Sequence, residues 1–238
     1  MFAKAKGVAA TARVTWIQKG IQKASRHPDA PALAAMIECP GEDGAPAPDR
    51  WGLDALRGRL VELSARGAAA TLTAAIELVV EAQQAAEPIA WVTLGNATFY
   101  PPDAADSGVD LAALAVVRVH GPTAAARAAE RLLRSGGFGL VVIDFGGGGA
   151  TVDLPVAHQG RLVTLAQAHD AAVVCITEKP GDAPSLGSLV SLRAEALRLH
   201  APGPEGAHGY HVTLRALKDK RRGPGWTRTT KLRGPPGT

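Results

Sequence analysis

The sequence predicts an α/β domain with a mostly parallel, twisted sheet, helices on both faces and an antiparallel C-terminal edge. First, short apolar runs alternate with segments of helix-forming composition, the pattern of crossover units that place parallel strands side by side. Second, the chain has 238 residues, 46% of them hydrophobic and 4% aromatic. A chain of that length buries roughly 70–75% of its unfolded surface, enough for one sizeable core. Third, after Ser191 the texture changes to alternating apolar and polar residues, as in a strand with one face exposed.

The elements follow in order. Residues 1–37 read as a basic, Ala-rich helical arm carrying Lys4, Lys6, Arg13, Lys19, Lys23 and Arg26. Two readings stand equally: a solvated helix face, or a docking or oligomerisation arm. Residues 38–50 hold too much Pro and Gly to continue a helix and form a linker. Residues 51–214 form the core. Within it, 58–63 is a strand, 68–86 a long helix, and Ile89–Leu94 and Leu114–Val119 are strands. Pro122–Arg134 is a helix opened by its proline. Leu140–Asp144 is an apolar strand ending in an acid, 160–169 a helix, and 171–177 a buried strand. Segments 192–199, 210–217 and 227–232 are expected as a half-exposed antiparallel extension. Residues 215–238 make a basic C-terminal strand and tail.

Composition excludes several classes. Two cysteines, Cys39 and Cys175, make no disulfide framework, and Cys175 sits in an apolar run as a core residue. The histidines are scattered, so no metal site is expected, nor any cofactor. No apolar stretch approaches the ~20 residues of a membrane span. The N-terminus starts basic without a following apolar core, unlike a secretory signal, and a cytoplasmic protein is expected, with nucleoid association open. The net charge of +4 says little until its placement is known.

Four local sequences carry a family resemblance: Gly52-Leu-Asp-Ala-Leu56 leading into 58–63, Leu140-Val-Val-Ile-Asp144, Val173-Val-Cys-Ile-Thr-Glu178, and Leu214-Arg-Ala-Leu-Lys218-Asp-Lys220. In this order, over about residues 50–233, they resemble the RecA/RadA ATPase core. The resemblance implies that β-strand one enters a phosphate loop, that Asp144 ends the metal-side strand and that Thr177 and Glu178 sense nucleotide.

Departures from that pattern point away from catalysis. A working phosphate loop, G-x-x-x-x-G-K-[ST], wraps phosphates with backbone N–H groups, neutralises them with its Lys and holds Mg²⁺ through its hydroxyl. Here the turn reads Ser64-Ala-Arg66-Gly67-Ala-Ala-Ala-Thr71-Leu-Thr73, without a lysine. Ala70 and Thr71 fall where Gly and Lys belong, and Arg66 is the sole nearby cation, on the wrong side of the turn. Phosphoryl transfer rests on positioning and electrostatics, so this loss is severe. The family's general-base Glu after the second strand is also missing from Val92-Thr-Leu-Gly95-Asn96. Asp144 is then equally a polar cap on a buried strand or a magnesium ligand. The degenerate nucleotide site comprises Arg66, Gly67, Thr71, Thr73, Asp144 and Glu178, with no catalytic residue. The segments that recombinases of this family use to hold DNA are short here, at 145–159 and 179–184.

Arg134-Ser-Gly-Gly-Phe-Gly-Leu-Val-Val142, with the degenerate phosphate loop and the short chain, resembles ImuA-type mutagenesis accessory proteins. That likeness implies a non-catalytic role in the bacterial DNA-damage (SOS) response and translesion synthesis. The implied partners are RecA, a Y-family polymerase homologue and a DnaE-type error-prone polymerase. The tail offers Lys218, Lys220, Arg221, Arg222, Arg228 and Lys231, with Trp226 interleaved, for DNA backbone contact and base stacking or for docking on an acidic partner. With Lys19, Lys23 and Arg26 of the arm these are the candidate DNA- or partner-binding residues. Two alternatives remain: a divergent ATPase using Arg66 or a partner's cation, and a stand-alone DNA-binding repair protein.

Overall fold

The computed structural model describes residues 50–67, 69–95, 99–146, 152–201 and 209–233. The arm at 1–37 with Lys19, Lys23 and Arg26, most of the linker, the glycine run at 147–149 and the tail end at 234–238 lie outside the described residues. In chain order the elements are α1 Leu53–Leu56, β1 Arg59–Ser64, α2 Thr71–Gln84, β2 Ile89–Leu94, α3 Pro101–Asp106, and a 3₁₀ turn at Leu111–Ala113. Then come β3 Leu114–Val119, α4 Pro122–Arg134, β4 Leu140–Asp144, α5 Val156–Ala168, β5 Ala172–Thr177, β6 Leu192–Ala201, β7 Gly209–Asp219 and β8 Thr227–Arg233.

One eight-stranded sheet runs β3-β2-β4-β5-β1-β6-β7-β8. The strands from β3 to β6 are mutually parallel, and β6–β7–β8 are antiparallel. This is the α/β class with an antiparallel C-terminal edge. One expectation needs correcting: β6 is not the first strand of a half-exposed antiparallel sheet. Its first half pairs in parallel with β1, Val61 opposite Leu192 and Ser64 opposite Glu195, and Leu192 to Leu197 are buried on both faces. The alternation Arg193/Glu195 misleads because the charges point into a buried polar cluster rather than into water.

The two faces of the sheet hold separate apolar clusters. Ala74, Ala75, Leu78, Val79 and Ala82 recur at helical spacing along α2 and pack on Val61, Leu63, Val142 and Val174. On the other face Ala125, Ala129 and Leu133 of α4 and Leu162 and Ala166 of α5 cover Leu60, Val141, Val173 and Cys175. Small alanines let the helices approach the sheet closely, which is how so few aromatics suffice. Trp91, fully buried, fills the remaining space and lies against Phe99 with ring centroids 5.0 Å apart. Helix α4 begins at Pro122 after Gly121 (φ +82°) and stops at Gly136 (φ +69°), a left-handed position that costs glycine little. Helix α5 begins four residues before the expected 160, and α3 and the 3₁₀ turn have no apolar period that could announce them.

After β5 the chain returns across the α5 face to β6. There the Gln159 amide donates to the Leu154 carbonyl (2.6 Å) and accepts from the Leu189 N–H (3.2 Å). A Cβ on Gly187 would overlap that amide. Gly187→Ala is therefore expected to destabilise by about 1–3 kcal/mol, read as a lower denaturation midpoint at unchanged slope.

Candidate ligand crevice at the carboxyl end of the sheet

In open parallel sheets a ligand crevice lies beyond the carboxyl ends of the strands, where successive connections leave on opposite faces. Here the turn after β1 leads to α2 on one face, and the turn after β4 leads to α5 on the other. Ser64, Thr177 and Asp144 end β1, β5 and β4 at this edge, Ser64 opposite Thr177 and Asp144 opposite Ile176. The sequence-derived nucleotide residues gather at the same end. Arg66 is exposed in the turn after β1, Gly67 takes φ +83°, Thr71 opens α2, Thr73 is buried in its first turn, and Glu178 is exposed just past β5.

The chain's own groups occupy much of this crevice. Strand β6 runs past the end of β1, so the turn after β1 packs against it: Ala70 N–H donates to the Ala196 carbonyl (3.0 Å) and Ala69 bridges to Leu197. A backbone donor that a phosphate loop would aim at its ligand is thus used internally. The Arg193 guanidinium donates to Ser64 Oγ (3.1 Å), to the Pro180 carbonyl (2.7 Å) and to the Ala183 carbonyl. Arg215 pairs with the buried Glu195 at 2.6 Å.

Beneath the segment that follows β5 lies Glu62, fully buried in the middle of β1. Its Oε1 accepts from Thr177 Oγ1 (2.9 Å) and meets Lys179 Nζ at 2.5 Å, while Oε2 accepts from the Leu186 N–H (2.7 Å). Lys179 and Arg193 are therefore cations at the crevice that the sequence reading missed. Both are already engaged with a buried carboxylate or with carbonyls. The available signal was Glu62 itself, a charge inside the apolar run Leu60–Leu63, which demands a buried partner.

Asp144 is fully buried on the α2 face. Its Oδ1 accepts from the Gly146 N–H (2.9 Å), and Oδ2 has no hydrogen-bond partner among the described residues. Burial pushes its carboxyl up, against the opposing pull of the Gly146 N–H and of Trp91 and Thr93 nearby. An acid whose folded pKa is raised weakens the fold as pH climbs from the unfolded value through the folded one. Asp144→Asn is therefore expected to raise the melting temperature at pH 7 and to narrow the gap at pH 4. A thermal melt at both pH values, with and without Mg²⁺, checks it. If Mg²⁺ stabilises the native chain and not the variant, Asp144 is a metal ligand rather than a strand cap.

The basic turn from Lys218 to Arg222 does not join the crevice. Asp219 pairs with Arg59 at the amino end of β1, so the turn at 218–222 lies at the opposite end of the sheet. Lys220 Nζ donates to the Ser188 carbonyl (2.6 Å), and Arg221 reaches the carbonyls of Arg57 and Gly58 (3.3 and 3.4 Å). Lys218, half-buried, donates to Gly187 O at 3.4 Å. Arg222 and Lys231 are exposed, and Arg228 faces Glu77 of α2 at 3.9 Å. Trp226 must be corrected as a base-stacking residue. It is buried in the α2-face cluster just before β8 and donates its Nε1–H to Asp219 Oδ2 (3.1 Å), so neither ring face is open to a base.

No helix among the described residues is long and apolar enough to cross a membrane. Comparison with protein-family models and with curated proteins finds no match.

Proposed function

We propose that this chain is a RecA-like protein that does not hydrolyse ATP and serves as an accessory factor in the bacterial DNA-damage response. In this reading it supports translesion synthesis by binding RecA, a Y-family polymerase homologue or a DnaE-type error-prone polymerase. The RecA-like part is supported by the central place of β1, flanked by β5, and by Ser64, Thr177 and Asp144 along one sheet edge. The observation that carries the non-catalytic part is the filled end of β1. Ala70 N–H is spent on Ala196, Arg193 is spent on Ser64 and two carbonyls, and the turn itself supplies only the exposed Arg66. A triphosphate there would have to break these bonds and would meet no free lysine. Without cations poised on the transferring group, electrostatic stabilisation is lost.

Nucleotide binding followed by phosphate release, with and without single-stranded DNA and RecA, tests the reading. The expected result is no turnover above background under any condition, together with retention of RecA or a polymerase component on the immobilised chain. Turnover that Asp144→Ala abolishes overturns the proposal in favour of an ATPase. Absence of every named partner from the retained fraction overturns the accessory role.

A further inference from the structure

The described chain begins at Arg50, and the next residue, Trp51, forms part of the wall of a half-open cavity of about 240 Å³ between α2 and β8. Ile76 and Val80 give this cavity an apolar lining, while Glu77, Glu81 and Arg228 bring charge to it. The charges do not balance. Glu77 Oε2 stands 3.9 Å from Arg228, a loose contact, and Glu81 Oε1 accepts from the Leu53 N–H at 2.9 Å. Burial pushes the Glu77 carboxyl up despite Arg228, with Glu81 adding in the same direction. A cavity with apolar walls and surplus carboxylate matches one kind of side chain, a lysine or arginine whose stem packs on the walls while its head reaches the acid.

We propose that residues 1–37 of the same chain dock on this face, inserting a basic side chain into the cavity beside Glu77. Charge complementarity supports the assignment: the segment carries Lys4, Lys6, Arg13, Lys19, Lys23 and Arg26 against the single acid Asp29. Read as a helix, Lys19, Lys23 and Arg26 fall at i, i+4 and i+7 and share one face. Connectivity supports it too, because the chain leaves the fold at the cavity wall itself. The linker at 38–50 spans up to ~43 Å at about 3.3 Å per residue, longer than the ~21 Å of α2, so the arm can lie along that helix.

Hydrogen–deuterium exchange on the full chain tests the docking. Amides of residues 1–37 are expected to exchange at least about tenfold more slowly than in a free chain. Glu77→Lys is expected to return them towards free-chain rates while leaving β1, β4 and β5 unchanged. Combining it with Lys19→Glu, Lys23→Glu and Arg26→Glu is expected to restore protection. Should Glu77→Lys fold poorly, Glu77→Gln gives a smaller loss of the same sign. Free-chain rates in the native protein, or protection indifferent to Glu77, overturn the proposal. Protection that rises with protein concentration overturns the same-chain assignment and gives the cavity to a second copy.

Discussion

Asp219→Ala is expected to lower the unfolding free energy by about 3–5 kcal/mol, a large part of what a domain of this size holds. The reason is what the carboxylate leaves behind. Arg59 and Asp219 meet at 2.6 Å with side chains 1% and 0% exposed, so truncation strands a guanidinium in the interior. The Trp226 indole N–H and the Arg221 and Arg222 backbone N–H groups lose their acceptor in the same step. Urea denaturation reads the loss, and Asp219→Asn separates charge from shape, since its one carbonyl oxygen can keep the Arg59, Arg221 and Arg222 donors while its NH2 faces the Trp226 N–H. The same group adds a pH dependence. Burial works to raise the Asp219 carboxyl, but the bonds from Arg221, Trp226 and Arg59 outweigh it and hold the group below the ordinary range. A depressed carboxylate stabilises above its unfolded pKa and loses that contribution as pH falls through the folded one. The native chain should weaken through this group below about pH 4, and the Asp219→Ala variant should lack that part of the acid sensitivity.

Glu62→Ala is expected to cost a similar ~3–5 kcal/mol, with a different local signature. It leaves Lys179 with only the Pro184 carbonyl and orphans the Thr177 hydroxyl and the Leu186 N–H, contacts that hold the segment between β5 and β6 against the sheet. Limited proteolysis should then cut first within residues 178–190, before the strands open. Glu62→Gln, which still accepts from Leu186, should fall between the two. Equal cleavage of native and Glu62→Ala chains would show that Leu186 and Val190, buried in the α5-face cluster, hold the segment by themselves.

Most of the parallel core was legible because its strands are apolar runs, with β1, β2, β4 and β5 buried on both faces and only the edge strand β3 half-exposed. The runs Ile89–Leu94, Leu114–Val119 and Leu140–Asp144 match the observed strands to the residue. Uninterrupted apolar sequence bounded by turn residues leaves little freedom there. The crevice was legible only in outline. Asp144 could be placed from its strand, yet Arg193 and Glu195 looked like the exposed face of an antiparallel strand, since alternation cannot tell water from a buried counter-charge. Trp226 failed for a related reason: cations on both sides of a tryptophan suggest a surface, whereas its indole is drawn inward by Asp219, seven residues earlier in the chain. The helix at 156–168 starts early because Pro155 supplies its opening, a cue weaker than the apolar residues downstream.

The exposed cations around 220–222 and the crevice beside Ser64 sit at opposite ends of β1. Five steps of about 3.3 Å put roughly 17 Å between them. That exceeds the ~8 Å screening length of physiological salt twice over. A polyanion attracted to one end is electrically almost invisible, through solvent, at the other. Any conversation between the two would have to travel mechanically, along strands that begin at Arg59 and finish at Ser64.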